Sequence, residues 1–315
     1  MFQNRDQQVG VFFATATFCF YGLTPLYFKA VQHVAPLEVL GHRVFWSVLF
    51  LILLLAWWGG SRAALKTLLS WRVLPWLFLS GAIIGFNWGV FIWTVHADRV
   101  LEASLGYYIN PLVNVLLGLL FLGERLRGLQ WLAVLIAGAG TVNMVVAQGV
   151  VPWAGLALAF SFGFYGLVRK QVPIKATVGL LVETAMLLPF VLLAALWAWQ
   201  AEVMSFTRVG LATDGLLIAA GVITTLPLIW FANAARRLNL STIGFFQYIA
   251  PTVTLCLAVF LFGEVFTKAH AVTFGLIWLA LGMLMVDTIR HHRRLGGVRS
   301  ASSGDTAQSS VPRET

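Results

Sequence analysis

Long apolar runs, broken by short polar or Gly- and Pro-containing connectors, dominate the chain from residue 9 to residue 288. Ten such runs stand out, at roughly 9–31, 36–58, 73–95, 103–122, 129–147, 152–169, 178–199, 214–235, 241–262 and 269–288. A helix of about 20 mainly apolar residues crosses the hydrocarbon core of a bilayer. The pattern therefore predicts an all-α integral membrane protein with ten transmembrane helices. No connector is long enough to hold a further folded domain. The first run is too long for a signal-peptide core, carries Lys29 near its far end, and is expected to stay in place. The final stretch, 289–315, opens IRHHRRLGG and continues in Ser, Ala, Gly, Asp and Gln. Too few apolar residues remain there to support a core, which predicts a disordered cytoplasmic tail.

Composition sharpens this. Of 315 residues, 59% are apolar and 10% charged, with a mean hydropathy of +0.85; soluble domains carry about 25% charged residues. A water-soluble enzyme is excluded. The net charge of +9 would fit a nucleic-acid partner, but the basic residues are placed otherwise. With the N-terminus inside, 16 of the 21 Lys and Arg residues fall on cytoplasmic segments; Lys29, Arg43, Arg99, Arg208 and Lys268 are the rest. This bias predicts both termini inside a cytoplasmic (inner) membrane and no nucleic acid. Cys19 and Cys256 lie in apolar runs and form no ligand or disulfide framework. No phosphate-binding loop, zinc motif or nucleophile elbow occurs. No enzyme activity, cofactor or metal is expected.

The chain also repeats itself. YYINPLVNVLLGLLFLGE (107–124) and QYIAPTVTLCLAVFLFGE (247–264) match at seven of 18 positions, including Pro111/Pro251 and the closing Gly-Glu. The preceding segment matches at an offset of 137, through Ile92-Trp93 and Ile229-Trp230. Helices 3 and 4 thus correspond to 8 and 9. Each copy has five helices, an odd number, so the second copy is inverted: 1–148 is the first five-helix repeat and 149–288 the second. Inverted repeats characterise alternating-access carriers. Pro111 and Pro251 would each release a backbone bond near mid-membrane. They are hinge candidates, or static kinks satisfied by neighbours.

Polar residues at membrane depth default to function. In the cluster Lys29, Glu38, His42 and Arg43, Glu38 and His42 share a helical face and Lys29 is within reach of Glu38. The cluster could bind an anionic or zwitterionic substrate or relay a proton. Alternatively it is an ion-pair network locking helices 1 and 2. Glu183 is either a coupling site or the partner of a loop residue such as Lys175. Gly81, Gly85 and Gly89 form a small-residue ladder for close packing. Asn87, roughly 200° round from it, would face the cavity with Trp88. Tyr107, Tyr108, Asn110, Asn114, Gln247 and Tyr248 complete the candidate lining.

YGLTPLYFK (21–29), EVLGHRVFWS (38–47), GFNWGVFIW (85–93), LEASLGYYINPLVN (101–114), FLGERLRGLQWLAV (121–134), LAFSFGFYGLVRKQ (158–171) and STIGFFQYIAP (241–251) resemble the EamA-domain proteins of the drug/metabolite transporter superfamily. The resemblance is greatest to the RarD branch, named for chloramphenicol sensitivity, and spans nearly the whole chain. It implies a permease moving small metabolites or drugs. A secondary transporter with a central cavity between helices 3, 4, 8 and 9 is expected, with a small-molecule substrate, the lipid bilayer and protons as candidate coupling ion for partners. Oligomeric state stays open. The alternative is a non-transporting polytopic sensor or assembly partner.

Overall fold

A computed structural model describes residues 2–57, 66–67, 70–123, 126–149, 151–170, 172, 174, 176–235, 237–238 and 246–287. The tail predicted at 289–315 and Lys175 lie outside the described residues. Among those described are ten helices. They are α1 (Phe2–Ala30), α2 (Pro36–Trp57), α3 (Leu74–His96), α4 (Val100–Leu122) and α5 (Gly128–Gln148), then α6 (Trp153–Lys170), α7 (Ala176–Gln200), α8 (Leu211–Ala235), α9 (Ile249–Cys256) and α10 (Lys268–Asp287). Eight are long and apolar enough to span a membrane; α6, and α9 with its π-helical extension Leu257–Leu261, are shorter. Apolar side chains such as Leu53 (70% exposed) and Leu193 (65%) face outward, as expected where lipid replaces water.

Local chemistry sets the helix ends. Pro36 opens α2 and Pro75 falls in the first turn of α3, where a missing N–H costs nothing. Gly123 and Gly263, the glycines of the repeated Gly-Glu pairs, follow α4 and the π-helical turn at φ of 64° and 69°. Glycine adopts that left-handed conformation without steric cost. One finding differs from the sequence reading. Helix α9 begins at Ile249, so Pro251 sits in its first turn rather than at mid-span. A first-turn proline removes no helical bond, so Pro251 is not a mid-helix kink. Pro111, by contrast, lies inside α4.

The chain divides into two compact units, Met1–Val113 with Pro152–Phe266 and Asn114–Val151 with Thr267–Thr315. In the first, α1 packs on α8 and α9, α2 on α3, α7 and α8, and α3 on α6 and α7. Exchanging each helix for its repeat partner, five places along, maps α1·α8 onto α3·α6 and α2·α8 onto α3·α7. This is the internal two-fold expected of two inverted five-helix repeats. Close crossings depend on missing side chains. A Cβ on Gly155 of α6 would lie 2.7 Å from the Glu102 carbonyl oxygen, and Gly106 of α4 is equally tight against the Gly155 backbone. In the second unit, Asn143 of α5 donates to the Ala269 carbonyl and Thr273 Oγ1, both at 3.1 Å. Arg127 pairs with Asp287 at 2.8 Å.

Candidate functional site

Arg43 projects from α2 into the first unit. Its guanidinium carbon lies 4.4 Å from the ring centre of Trp88 on α3 and 5.6 Å from that of Phe28 on α1. Phe28 meets Phe91 edge to face and Phe91 meets Tyr107 at a tilt, at 5.6 and 5.8 Å between centroids. The hydroxyls of Tyr107, Tyr21 and Tyr27 lie within electrostatic range of the cation. Phe28, Trp88 and Phe91 are buried, whereas Arg43, Tyr21, Tyr27 and Tyr107 keep accessible surface although protein surrounds them. These four are the part-exposed members of the cluster. Their arrangement follows from helical spacing, since Tyr21 and Phe28 lie seven residues apart on α1 and return to one face after two turns.

Among the described residues Arg43 makes no ion pair, and its buried Nε has no hydrogen-bond partner. The other partly buried cations are matched: Lys29 with Asp98, Arg99 with Glu102 at 2.6 Å, and Arg169 with Glu183 at 3.5 Å. A desolvated cation over an aromatic face gains about 2 kcal/mol. Burying an ion costs several kcal/mol. The rings alone do not offset that cost, which leaves Arg43 short of an anion.

A second charged group occupies the related place in the other repeat. Glu183 on α7 follows Arg43 by 140 residues, the α4-to-α9 offset, and Phe50/Phe190, Leu53/Leu193 and Trp57/Trp197 match at the same spacing. Beside them, FCFYGL (18–23) and FGFYGL (162–167) set Tyr21 and Tyr165 in equivalent positions. Glu183 is fully buried and satisfied. Ser80 Oγ donates to Oε1 at 2.5 Å and Tyr165 to Oε2 at 3.2 Å, with Arg169 alongside. Its predicted partner Lys175 is not described, and Arg169, six residues earlier, takes the role.

Lys29 pairs with Asp98, not with Glu38. The Glu38 carboxylate accepts the backbone N–H groups of Ser205 and Phe206 at 2.8 Å. Asp98, in a left-handed turn at φ 55°, brings its carboxylate to Lys29, while two oriented amides satisfy Glu38 better than a flexible ammonium would. His42 accepts from Trp46 Nε1 at 3.0 Å and meets the Phe206 ring at a tilt; its Nε2 has no partner among the described residues. Asn87 is spent in the α3–α6 seam, donating to Leu158 O at 3.1 Å and Ser161 Oγ at 2.9 Å. Tyr108 meets Thr252 Oγ1 at 2.6 Å and ties α4 to α9. Asn110 is buried, and its Oδ1 has no partner among the described residues. Asn114 and Gln247 are exposed, Tyr248 is half-buried, and no described contact joins these three to Arg43. Of the predicted set, the structure gathers Arg43, Trp88 and Tyr107.

Two carboxylates escaped the sequence reading. Glu264 accepts from Val100 N and Leu101 N at 2.6 and 2.8 Å, at the start of α4. Glu102 accepts from Ala154 N and Gly155 N at 2.7 and 3.2 Å, at the start of α6. Both place negative charge on exposed amides at a helix N-terminus. Burial pushes the Glu264 carboxyl above the usual carboxylate range, against the opposing pull of the Leu101 and Val100 amides and Lys29. The signal available was the Gly-Glu at each repeat end, and the FYGL repeat would likewise have exposed Tyr21 and Tyr165.

A ten-helix, internally inverted membrane fold enclosing polar groups defines a transporter class. The sequence profile of the EamA-like transporter family matches residues 8–146. Protein RarD of Escherichia coli K12 is 45% identical over 296 residues, covering 92% of this chain and 98% of that one. An uncharacterized transporter of Vibrio cholerae is 44% identical over 293 residues, covering 92% and 97%. The chloramphenicol-sensitive protein RarD of Pseudomonas aeruginosa is 32% identical, covering 90% and 96%. A solved structure described only as "Crystal structure of protein" shares the fold, with a TM-score of 0.57 at 20% identity, over 89% of this chain and 98% of that one. The chain belongs to the EamA-like transporter family, among its RarD-type proteins.

Proposed function

We propose that the protein is a secondary transporter of small organic solutes, working by alternating access through the interior of the first unit. Its repeats, 1–148 and 149–288, would exchange roles as the interior opens to each side. It would sit in the cytoplasmic (inner) membrane with both termini inside, the arrangement favoured by the distribution of Lys and Arg. The observation that carries this reading is a cation with no carboxylate partner among the described residues, set against aromatic rings from neighbouring membrane-depth helices. A closed structural core would have supplied Arg43 with a carboxylate, as it does Arg169. Pro111 is the hinge candidate that lies inside a helix. His42, whose Nε2 has no partner among the described residues, and Glu183 are the groups through which protons would couple.

Purified protein in liposomes, loaded with a panel of metabolites and with chloramphenicol, tests the reading. Flux above that of empty liposomes is expected for some member, and a pH gradient should alter it if protons couple. Intact, folded protein that moves and binds none of the panel would instead fit a non-transporting sensor or assembly partner.

A further inference from the structure

We propose that Arg43, held over Trp88, anchors the carboxylate of the substrate, whose flat apolar body lies among the part-exposed Tyr21, Tyr27 and Tyr107 side chains, so that the solute carried is a small aromatic or apolar carboxylate. This rests on the transport reading above. Trp88 covers one face of the guanidinium. A guanidinium held over a ring can still pair through its in-plane N–H groups with a planar carboxylate, by two parallel bonds. Nε already points into protein with no acceptor. Among the described residues no carboxylate pairs with Arg43, whereas Asp98, Glu102 and Glu183 are each committed to another cation.

Charge count selects the ligand further. One cation among neutral phenols balances one negative charge. A phosphate dianion would leave a net charge in the membrane interior, which is disfavoured. Tyr21 and Tyr107, both half-buried beside the cation, have hydroxyls suited to donate to the second carboxylate oxygen. The aromatic side chains give selectivity for a flat substituent rather than a polar one.

Tryptophan fluorescence and thermal-shift titrations of the purified full chain test this with matched pairs: benzoate and benzamide, indole-3-acetate and indole-3-acetamide, and inorganic phosphate. Each acid should bind at least tenfold more tightly than its amide, with phosphate weak. Arg43→Gln should erase the difference by weakening the acid alone, and Arg43→Lys should keep part of it. Equal binding of acid and amide, no acid binding at millimolar concentration, or a preference that survives Arg43→Gln each overturns the proposal. Should Arg43→Gln not fold, the wild-type acid-to-amide ratio decides. Acid binding without flux in liposomes leaves this assignment standing and removes the transport reading. Flux of neutral solutes without acid preference does the reverse.

Discussion

Removing the Glu183 charge should destabilise the first unit through the ion it strands. Glu183 and Arg169 lie 3.5 Å apart, and the Glu183 side chain is wholly buried and that of Arg169 15% exposed. At an effective dielectric of about 20, two unit charges at that distance attract by roughly 4 to 5 kcal/mol. Glu183→Gln keeps the volume and can still accept from one of Ser80 and Tyr165, while its NH2 group donates to the other hydroxyl, so the lost charge is the main change. With partial compensation by water, the expected cost is about 3 kcal/mol. Arg169→Met should cost a similar amount. The double variant should cost much less than the sum, because replacing both members of a buried pair is often close to neutral. Reversible unfolding in mixed micelles measures all four corners of the cycle. A coupling energy below about 0.5 kcal/mol would falsify the claim that the pair is an electrostatic unit. It would leave the Ser80 and Tyr165 hydrogen bonds as the holding force.

Three further outcomes follow from the same geometry. Gly106→Val should block the α4–α6 crossing, where the two backbones touch, costing about 3 kcal/mol; unchanged melting would contradict that crossing. Asn87→Leu removes two donated bonds in the α3–α6 seam and should lower stability by about 1–3 kcal/mol, read by thermal unfolding alongside flux. A loss of flux with stability intact would return Asn87 to the substrate path. The Glu264 carboxyl holds its proton more tightly when folded than when free. Wild type should therefore lose stability relative to Glu264→Gln as pH rises from the usual carboxylate range through the raised value. Melting curves of the two proteins at several pH values check this, and a difference independent of pH would be the wrong answer.

The membrane architecture was legible because it rests on run length alone. An apolar run either spans the hydrocarbon or does not, and the stretch from Pro36 reads as a helix without knowing its neighbours. The inverted repeat was legible through the Pro and Gly-Glu signature, whose glycines prove to share a left-handed turn. The start of α9 was not, since hydropathy does not separate a turn at Gln247 and Tyr248 from a helix. Partner choice was least legible. Lys29 is as near in sequence to Glu38 as a pairing needs, yet the α3–α4 turn delivers Asp98. The rotation of Asn87 away from the glycine ladder was readable, but the element it would meet, α6, was not. Glu102 and Glu264 looked ordinary because charge at a span end is cheap; only the fold reveals the helix starts they cap.

Arg43 and Glu183 descend from one duplicated position, yet they bear opposite signs and differ in what they lack. A carrier with chemically identical halves would offer the same welcome from either side of the membrane. Here one half has matched its charge from within, through Arg169, whereas among the described residues the other has no matching carboxylate. Duplication thus supplied a symmetric frame, while divergence at a single pair of sites made its two halves electrostatically unlike.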